Sequence, residues 1–211
     1  MSKILNGPVI NGDPGKFDKI IIFLHGYGAN GNDLISIGNS WQGELPNTMF
    51  ISPNAPFNCP WGNDAYQWFE LSSISPESIG IGLKNAGPFL NEFIDNISKE
   101  TKIPFEKIFF VSFSQGTMMA LYHLCKRKSK CAGIMGYSGL LFCDENFDGS
   151  IRCKPPIRLY HGKSDEIISF EQTIHASKIL KSHSFDVDHK IKDSLGHGID
   201  EEGLEYGLEF I

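Results

Sequence analysis

The chain has little with which to reach nucleic acid or lipid. Lys and Arg number 19 against 25 Asp and Glu in 211 residues, a net charge of −6 with histidine neutral. A protein that tracks phosphates needs a basic face, so a nucleic-acid partner is not expected. Electrostatic docking on anionic lipid is disfavoured for the same reason, while apolar contact with lipid stays open. Long hydrophobic runs are missing too. No continuous apolar run exceeds Ile20–Leu24, far short of the roughly 20 residues that span a bilayer. Nor is there an apolar stretch of signal-peptide type between Met1 and Phe17. The cysteines are few and odd in number, Cys59, Cys125, Cys131, Cys143 and Cys153, with no CxxC and no His/Cys metal spacing. They read as free thiols of a reducing, cytoplasmic chain. No glycine-rich phosphate loop, dinucleotide fingerprint, internal repeat or low-complexity tract occurs, so no metal or organic cofactor is implied.

What is present is enough for a packed core. Hydrophobic residues make up 41% and charged residues 21%, and the length suits one domain over 1–211. Lys19–Leu24, Lys107–Ser112, Cys131–Tyr137 and Ile157–Tyr160 are apolar runs without alternation, the pattern of strands buried on both faces. Thr48–Ser52 is a further short strand and Asp186–Lys192 an alternating one. Helices are expected near Asp33–Ser40, from Ser75-Pro76-Glu77 through Ile97 with a kink or restart at Pro88, and over Gln115–Lys126. Two more follow, over Ser169–Ser182 with a Ser169/Gln172 capping box and over Asp200–Phe210. Residues 53–70 and 138–156 read as loops. Strands alternating with helices give an α/β fold, a mostly parallel central sheet flanked by helices.

One segment carries chemistry. Ser112-Phe113-Ser114-Gln115-Gly116 lies between a buried strand and a helix, the context of a nucleophile elbow, G-x-S-x-G. The turn needs small residues two before and two after the nucleophile, because strand and helix cross closely there. Gly116 supplies one, and Ser112 stands where the other glycine is usual. The bland alternative is an ordinary serine-rich helix cap. A nucleophilic serine needs a base and an orienting acid, which in this fold follow it in the chain. Asp165, in the loop after Ile157–Tyr160, is the leading acid, with Asp193 second and Asp186 and Asp188 more suited to solvent. His197, between Gly196 and Gly198, is the leading base. His161 at a strand end reads as a hydrogen-bonded structural histidine, and His123, His175, His183 and His189 fall on helices or a strand. Oxyanion donors are expected from the Gln115 amide and from the loop Leu24-His25-Gly26-Tyr27-Gly28.

Together Phe23–Gly28, Phe113–Gly116, His161–Asp165 and Gly196–Gly198 resemble the phospholipase/carboxylesterase family, over nearly the whole chain. The resemblance implies an α/β-hydrolase without a large lid, cleaving short- to medium-chain esters or acyl thioesters. It assigns Ser114 as nucleophile, Asp165 as acid, His197 as base, and the amides of Leu24 and Gln115 as oxyanion donors. Tyr66–Leu71 is similar to that family's Trp-containing loop, which makes Trp68, Phe69 and Leu71 candidates for the acyl wall. Ser112 and Thr117 depart from the family pattern and are expected to crowd the elbow. Only 138–156 separates two strands, too little for a cap domain, so the site should be open. Esters, thioesters and lysolipids all fit it, and an apolar lip could support a homodimer. The competing readings are a catalytically silent α/β-hydrolase used as a binding module, and a small serine peptidase.

Overall fold

The computed structural model describes residues 5–11, 13, 15–71 and 75–211; part of the Met1–Phe17 reading therefore lies outside the described residues. Its centre is a seven-stranded sheet in the order β1-β3-β2-β6-β7-β8-β9. The strands are β1 (Val9–Ile10), β2 (Lys19–Leu24), β3 (Thr48–Ile51), β6 (Ile108–Phe113), β7 (Gly133–Tyr137), β8 (Ile157–Gly162) and β9 (Val187–Lys192). All neighbours pair in parallel except β1, which runs antiparallel to β3 at the edge. Between β3 and the first long helix, β4 (Phe57–Asn58) and β5 (Tyr66–Gln67) form a separate two-stranded ribbon.

The pleat divides each strand between two cores. In β2, Ile20, Ile22 and Leu24 face one cluster, together with Leu83, Leu90, Phe93 and Ile94 of α2 (Pro76–Thr101) and Met118 and Met119 of α3 (Gln115–His123). Leu180 of α5 (Glu171–Ser182) completes that face. Ile21 and Phe23 face the other cluster, with Leu34, Ile37 and Trp41 of α1 (Gly31–Trp41) and the half-buried Leu204 and Leu208 of α6 (Glu201–Phe210). This two-sided burial is why the central strands read as unbroken apolar runs.

Several expectations are corrected. α2 runs without interruption through Pro88, so the proline does not restart it. Pro88 lies on the exposed face, where its missing N–H and ring fall on the solvent side. The Ser169/Gln172 capping box does not form. Ser169 Oγ accepts from the Glu171 amide at 3.3 Å, and α5 begins after Phe170. The segment 138–156 contains one helical turn, α4 (Phe147–Ser150), and 53–70 contains the β4–β5 ribbon. The edge strand β1 is an addition; two residues are too few to show a period.

Candidate active site

Ser114 stands between β6 and α3 with φ 52° and ψ −116°, a conformation disfavoured for any residue with a Cβ. Its amide donates to Tyr137 O at 2.9 Å, and its carbonyl accepts from the Thr117 amide at 2.9 Å. The positive φ expected of an elbow is therefore present. Small residues permit it. Gly116 faces β2 rather than Ser112, since a Cβ there would lie 2.0 Å from Leu24 O. Ser112 Oγ donates to Met135 O at 3.1 Å, Thr117 Oγ1 donates to Tyr137 O at 3.0 Å, and the two hydroxyls are 3.2 Å apart. Thr117 does not crowd the turn because Gly136 and Gly139 make room for it. Cβ atoms at those positions would come within 2.7 and 2.4 Å of its side chain.

Ser114 Oγ lies 3.0 Å from His197 Nε2, and His197 Nδ1 lies 2.7 Å from Asp165 Oδ2. The loop that carries His197 is held from both ends. Ser164 donates its amide to Leu195 O at 2.9 Å, and a Cβ on Gly162 would strike that same carbonyl at 2.2 Å. On the far side, Asp200 caps α6 by accepting from the Gly203 amide at 2.9 Å and from the Tyr160 hydroxyl at 2.7 Å. The Phe113 ring packs on the imidazole, centroids 4.9 Å apart.

Asp165 is saturated with donors. Its Oδ1 accepts from the amides of Ile167 and Ile168 at 2.8 and 2.9 Å. Its Oδ2 also accepts from His161 Nε2 at 3.0 Å. Burial alone would raise its carboxyl; the Ile168 amide, His197 and the Ile167 amide outweigh that and hold it below the usual carboxylate range. His161 is a structural histidine, as expected, with an added task. Its Nε2 also faces Ile168 O, so Nε2 carries the proton, and Nδ1 accepts from Thr173 Oγ1 at 2.7 Å. Burial pushes its pKa down and keeps it neutral. Its i, i+4 spacing to Asp165 was the only sequence signal for this contact. Asp193 is exposed and pairs with Lys163, and Asp186 pairs with Arg158, so neither approaches His197.

The remaining candidates fare unequally. The Gln115 amide opens α3 beside Ser114. Leu24 lies within β2 opposite Ser112 and is fully buried, so its backbone belongs to the sheet. The loop that reaches Ser114 is the next one. A Cβ on Gly26 would lie 3.3 Å from Ser114 Cβ. Gly28 and Ala29 donate their amides to Tyr66 O and Gly26 O; among the described residues no such backbone acceptor faces the Tyr27 amide. His25 braces this loop, with Nδ1 donating to Gly26 O at 2.7 Å and Nε2 accepting from the Ala55 amide at 2.9 Å.

Trp68 is not a pocket wall. It is fully buried, and its Nε1 donates to His25 O at 3.0 Å while its amide donates to Gln115 Oε1 at 2.8 Å. Gln115 Nε2 then donates to Phe69 O at 2.8 Å. Trp68 and the Gln115 side chain therefore tie the HGYG loop to the elbow, a link the sequence does not announce. Phe69 packs on Gly82 and borders an open cavity of about 440 Å³ with Phe57 and Ile81. Leu71 is half-buried against the core. An apolar groove of about 450 Å³ runs instead along Ile79, Leu140, Phe142, Ile167 and Ile179. It adjoins the site at two points. Ile167 is itself a donor to Asp165, and Gly139, next to Leu140, would place a Cβ 3.1 Å from Ser114 O.

A parallel sheet with this connection order, carrying a Ser–His–Asp hydrogen-bond chain at its carboxyl edge, defines an α/β-hydrolase. The chain belongs to the phospholipase/carboxylesterase family, whose model matches residues 5–211, and with that family to the hydrolases. It is 28% identical over 208 residues to acyl-protein thioesterase 1 of Neurospora crassa, covering 90% of this chain and 84% of the relative. It is 23% identical to esterase YpfH of Escherichia coli K12, covering 92% and 82%. The crystal structure of esterase PE8 superposes with a TM-score of 0.94 at 32% identity, covering 99% of this chain and 98% of that one. No helix among the described residues is long and apolar enough to cross a membrane.

Proposed function

We propose that the protein hydrolyses short- to medium-chain carboxylic esters or acyl thioesters through an acyl-enzyme on Ser114. The observation that carries this reading is the unbroken chain from Ser114 Oγ through His197 to Asp165, at 3.0 and 2.7 Å, with Ser114 in a strained backbone conformation. His197 Nε2 takes the Ser114 proton as Oγ attacks the carbonyl carbon, and returns it to the leaving oxygen or sulfur. Asp165 fixes the imidazole with Nδ1–H inward and stabilises the imidazolium. The Gln115 amide, at the positive end of α3, receives the oxyanion. For its partner we propose the Tyr27 amide in place of Leu24. A water activated by the same imidazole then releases the acid. The acyl group lies in the groove between Ile79, Leu140 and Ile167 rather than against Trp68. Five cysteines, all free, suit a reducing cytoplasm.

A fluorophosphonate probe should label the wild type and leave Ser114→Ala unlabelled. A panel of p-nitrophenyl esters, run beside an acyl thioester, then measures the preferred acyl donor. Labelling that persists in Ser114→Ala, or near-normal hydrolysis by His197→Ala, overturns the mechanism.

A further inference from the structure

Resting on the serine-esterase reading above, we propose that a small apolar pocket beside His197 is the subsite for the alcohol portion of the ester. The natural substrates are then esters of compact, uncharged, apolar alcohols, and the acyl-enzyme passes its acyl group to such alcohols as well as to water.

The pocket has about 280 Å³ and is walled by Gly26, Ala29, Leu34, Phe113 and Ile199. Two of its walls adjoin Ser114: Phe113 precedes it in the chain, and a Cβ on Gly26 would lie 3.1 Å from Phe113 Cδ1 and 3.3 Å from Ser114 Cβ. Its place relative to the proton carrier decides its occupant. Phe113 packs on the His197 ring, and Ile199 is two residues beyond it. Both belong to the cluster on the α1/α6 face of the sheet. The larger groove, bounded by Ile79, Leu140 and Ile179, belongs to the α2/α3/α5 face. Ser114 stands between the two. In acyl transfer the leaving group must receive its proton from the histidine, so the leaving group occupies the His197 side and the acyl chain the opposite side.

Size and charge narrow the alcohol. The volume is several times the ~30 Å³ share of a water molecule, room for a short alkyl or an aryl group but not for a peptide. One charged side chain, Asp33, stands at the rim, where its Oδ2 accepts from the Asn30 amide. A carboxylate there disfavours phosphodiester or nucleotide leaving groups. In the transfer step, alcohol O–H gives its proton to His197 Nε2 and its oxygen bonds to the acyl carbon. The bond to Ser114 Oγ breaks, and Oγ takes the proton back; serine and an ester result, with nothing left over.

The test uses p-nitrophenyl butyrate and counts butyrate ester against free butyrate with methanol, butanol, hexanol or 6-hydroxyhexanoate present. Ser114→Ala comes first: hydrolysis of p-nitrophenyl butyrate that survives it overturns the serine-esterase reading itself, whatever the partition. With that activity abolished in the variant, ester formed by the wild type per molar alcohol should rise at least about tenfold from methanol to hexanol, since each buried methylene contributes up to about fourfold. The anionic 6-hydroxyhexanoate should do no better than methanol. Ile199→Trp, which fills the pocket, should bring the hexanol-to-methanol ratio to about one. Ile199→Ala, which enlarges it, should move the optimum to longer alcohols. A flat series in the wild type overturns the alcohol subsite alone, as does equal transfer to hexanol and 6-hydroxyhexanoate. A hexanol preference unchanged in both Ile199 variants does the same.

Discussion

Ser114 keeps its positive φ at a cost of roughly 1–3 kcal/mol, and the surrounding residues exist largely to impose it. Ser114→Ala and His197→Ala should each lower kcat by several orders of magnitude with the fold intact, read by ester hydrolysis beside circular dichroism. Trp68 separates bracing from substrate contact. Trp68→Phe keeps an aromatic ring but removes the indole N–H, leaving His25 O without its donor, a loss of at least about 1–3 kcal/mol of stability, with the cavity left by the smaller ring adding to it. Because the strut serves the catalytic loops, acetyl and octanoyl esters should lose activity by similar factors; a loss confined to octanoyl esters would restore Trp68 to the acyl wall. The proposed nucleophile, acid and base stand out in the sequence because each sits in a glycine-flanked or strand-end position at a fixed chain order. The role of Trp68 is not legible there, since an indole in an aromatic loop looks the same whether its N–H meets a carbonyl or its face meets a substrate. The proposed move of the oxyanion donor from Leu24 to Tyr27 has a related reason: the last residue of a strand and the first donor of its loop differ by only a few positions.

Among the elements, α2 shows how a local penalty is absorbed. Pro88 removes the hydrogen bond to Lys84 O, yet Leu83, Leu90 and Ile94 hold the helix on the sheet. Pro88→Ala should therefore raise the unfolding free energy read from urea titration, by at most the ~3 kcal/mol that an interior proline costs a helix. One residue earlier, Gly87 lets α3 approach, because a Cβ there would lie 2.3 Å from His123 Cε1. The imidazole is buried with Nε2 2.8 Å from Leu83 O. Burial, assisted by Lys126 and opposed by the Leu83 carbonyl, pushes its pKa down to about 4. The unfolded chain takes up a proton near pH 6.5 that the folded chain refuses until about pH 4. Stability should thus be complete above pH 6.5 and fall between there and pH 4, by roughly 3 kcal/mol in all. His123→Gln, which keeps a donor for Leu83 O without titrating, should flatten that slope in urea titrations at several pH values. Strand and helix types were legible from periodicity. Some ends were legible too, since Ser75 caps α2 with Pro76 in its first turn and α6 opens at Asp200; others were not, because capping by Asn30 and the failure of Ser169 to cap α5 depend on where the chain is pulled by its neighbours.

At the scale of the molecule, the two-sided sheet makes a two-sided site. The α2/α3/α5 face supplies the long groove, the α1/α6 face the small pocket, and the carboxyl edge between them presents Ser114, Asp165 and His197. The fold class was readable because both faces are covered, which turns the central strands into unbroken apolar runs. The grooves were not, since they are lined by residues brought from 79, 140, 167 and 179, whose adjacency exists only after the strands are ordered. With no cap domain over it among the described residues, the proposed acyl groove has finite length and an open end. Each methylene buried in it contributes about 0.8 kcal/mol, so kcat/KM should climb about fourfold per methylene and then level once the chain emerges into water. Leu140→Trp, placed at the mouth beside Gly139, should move that plateau to shorter acyl chains while Phe69→Leu, in the separate cavity under the β4–β5 ribbon, leaves it where it was. A p-nitrophenyl ester series from acetyl to palmitoyl measures both. A plateau shifted by Phe69→Leu and untouched by Leu140→Trp would move the acyl chain to the other cavity, against Phe57 and Ile81.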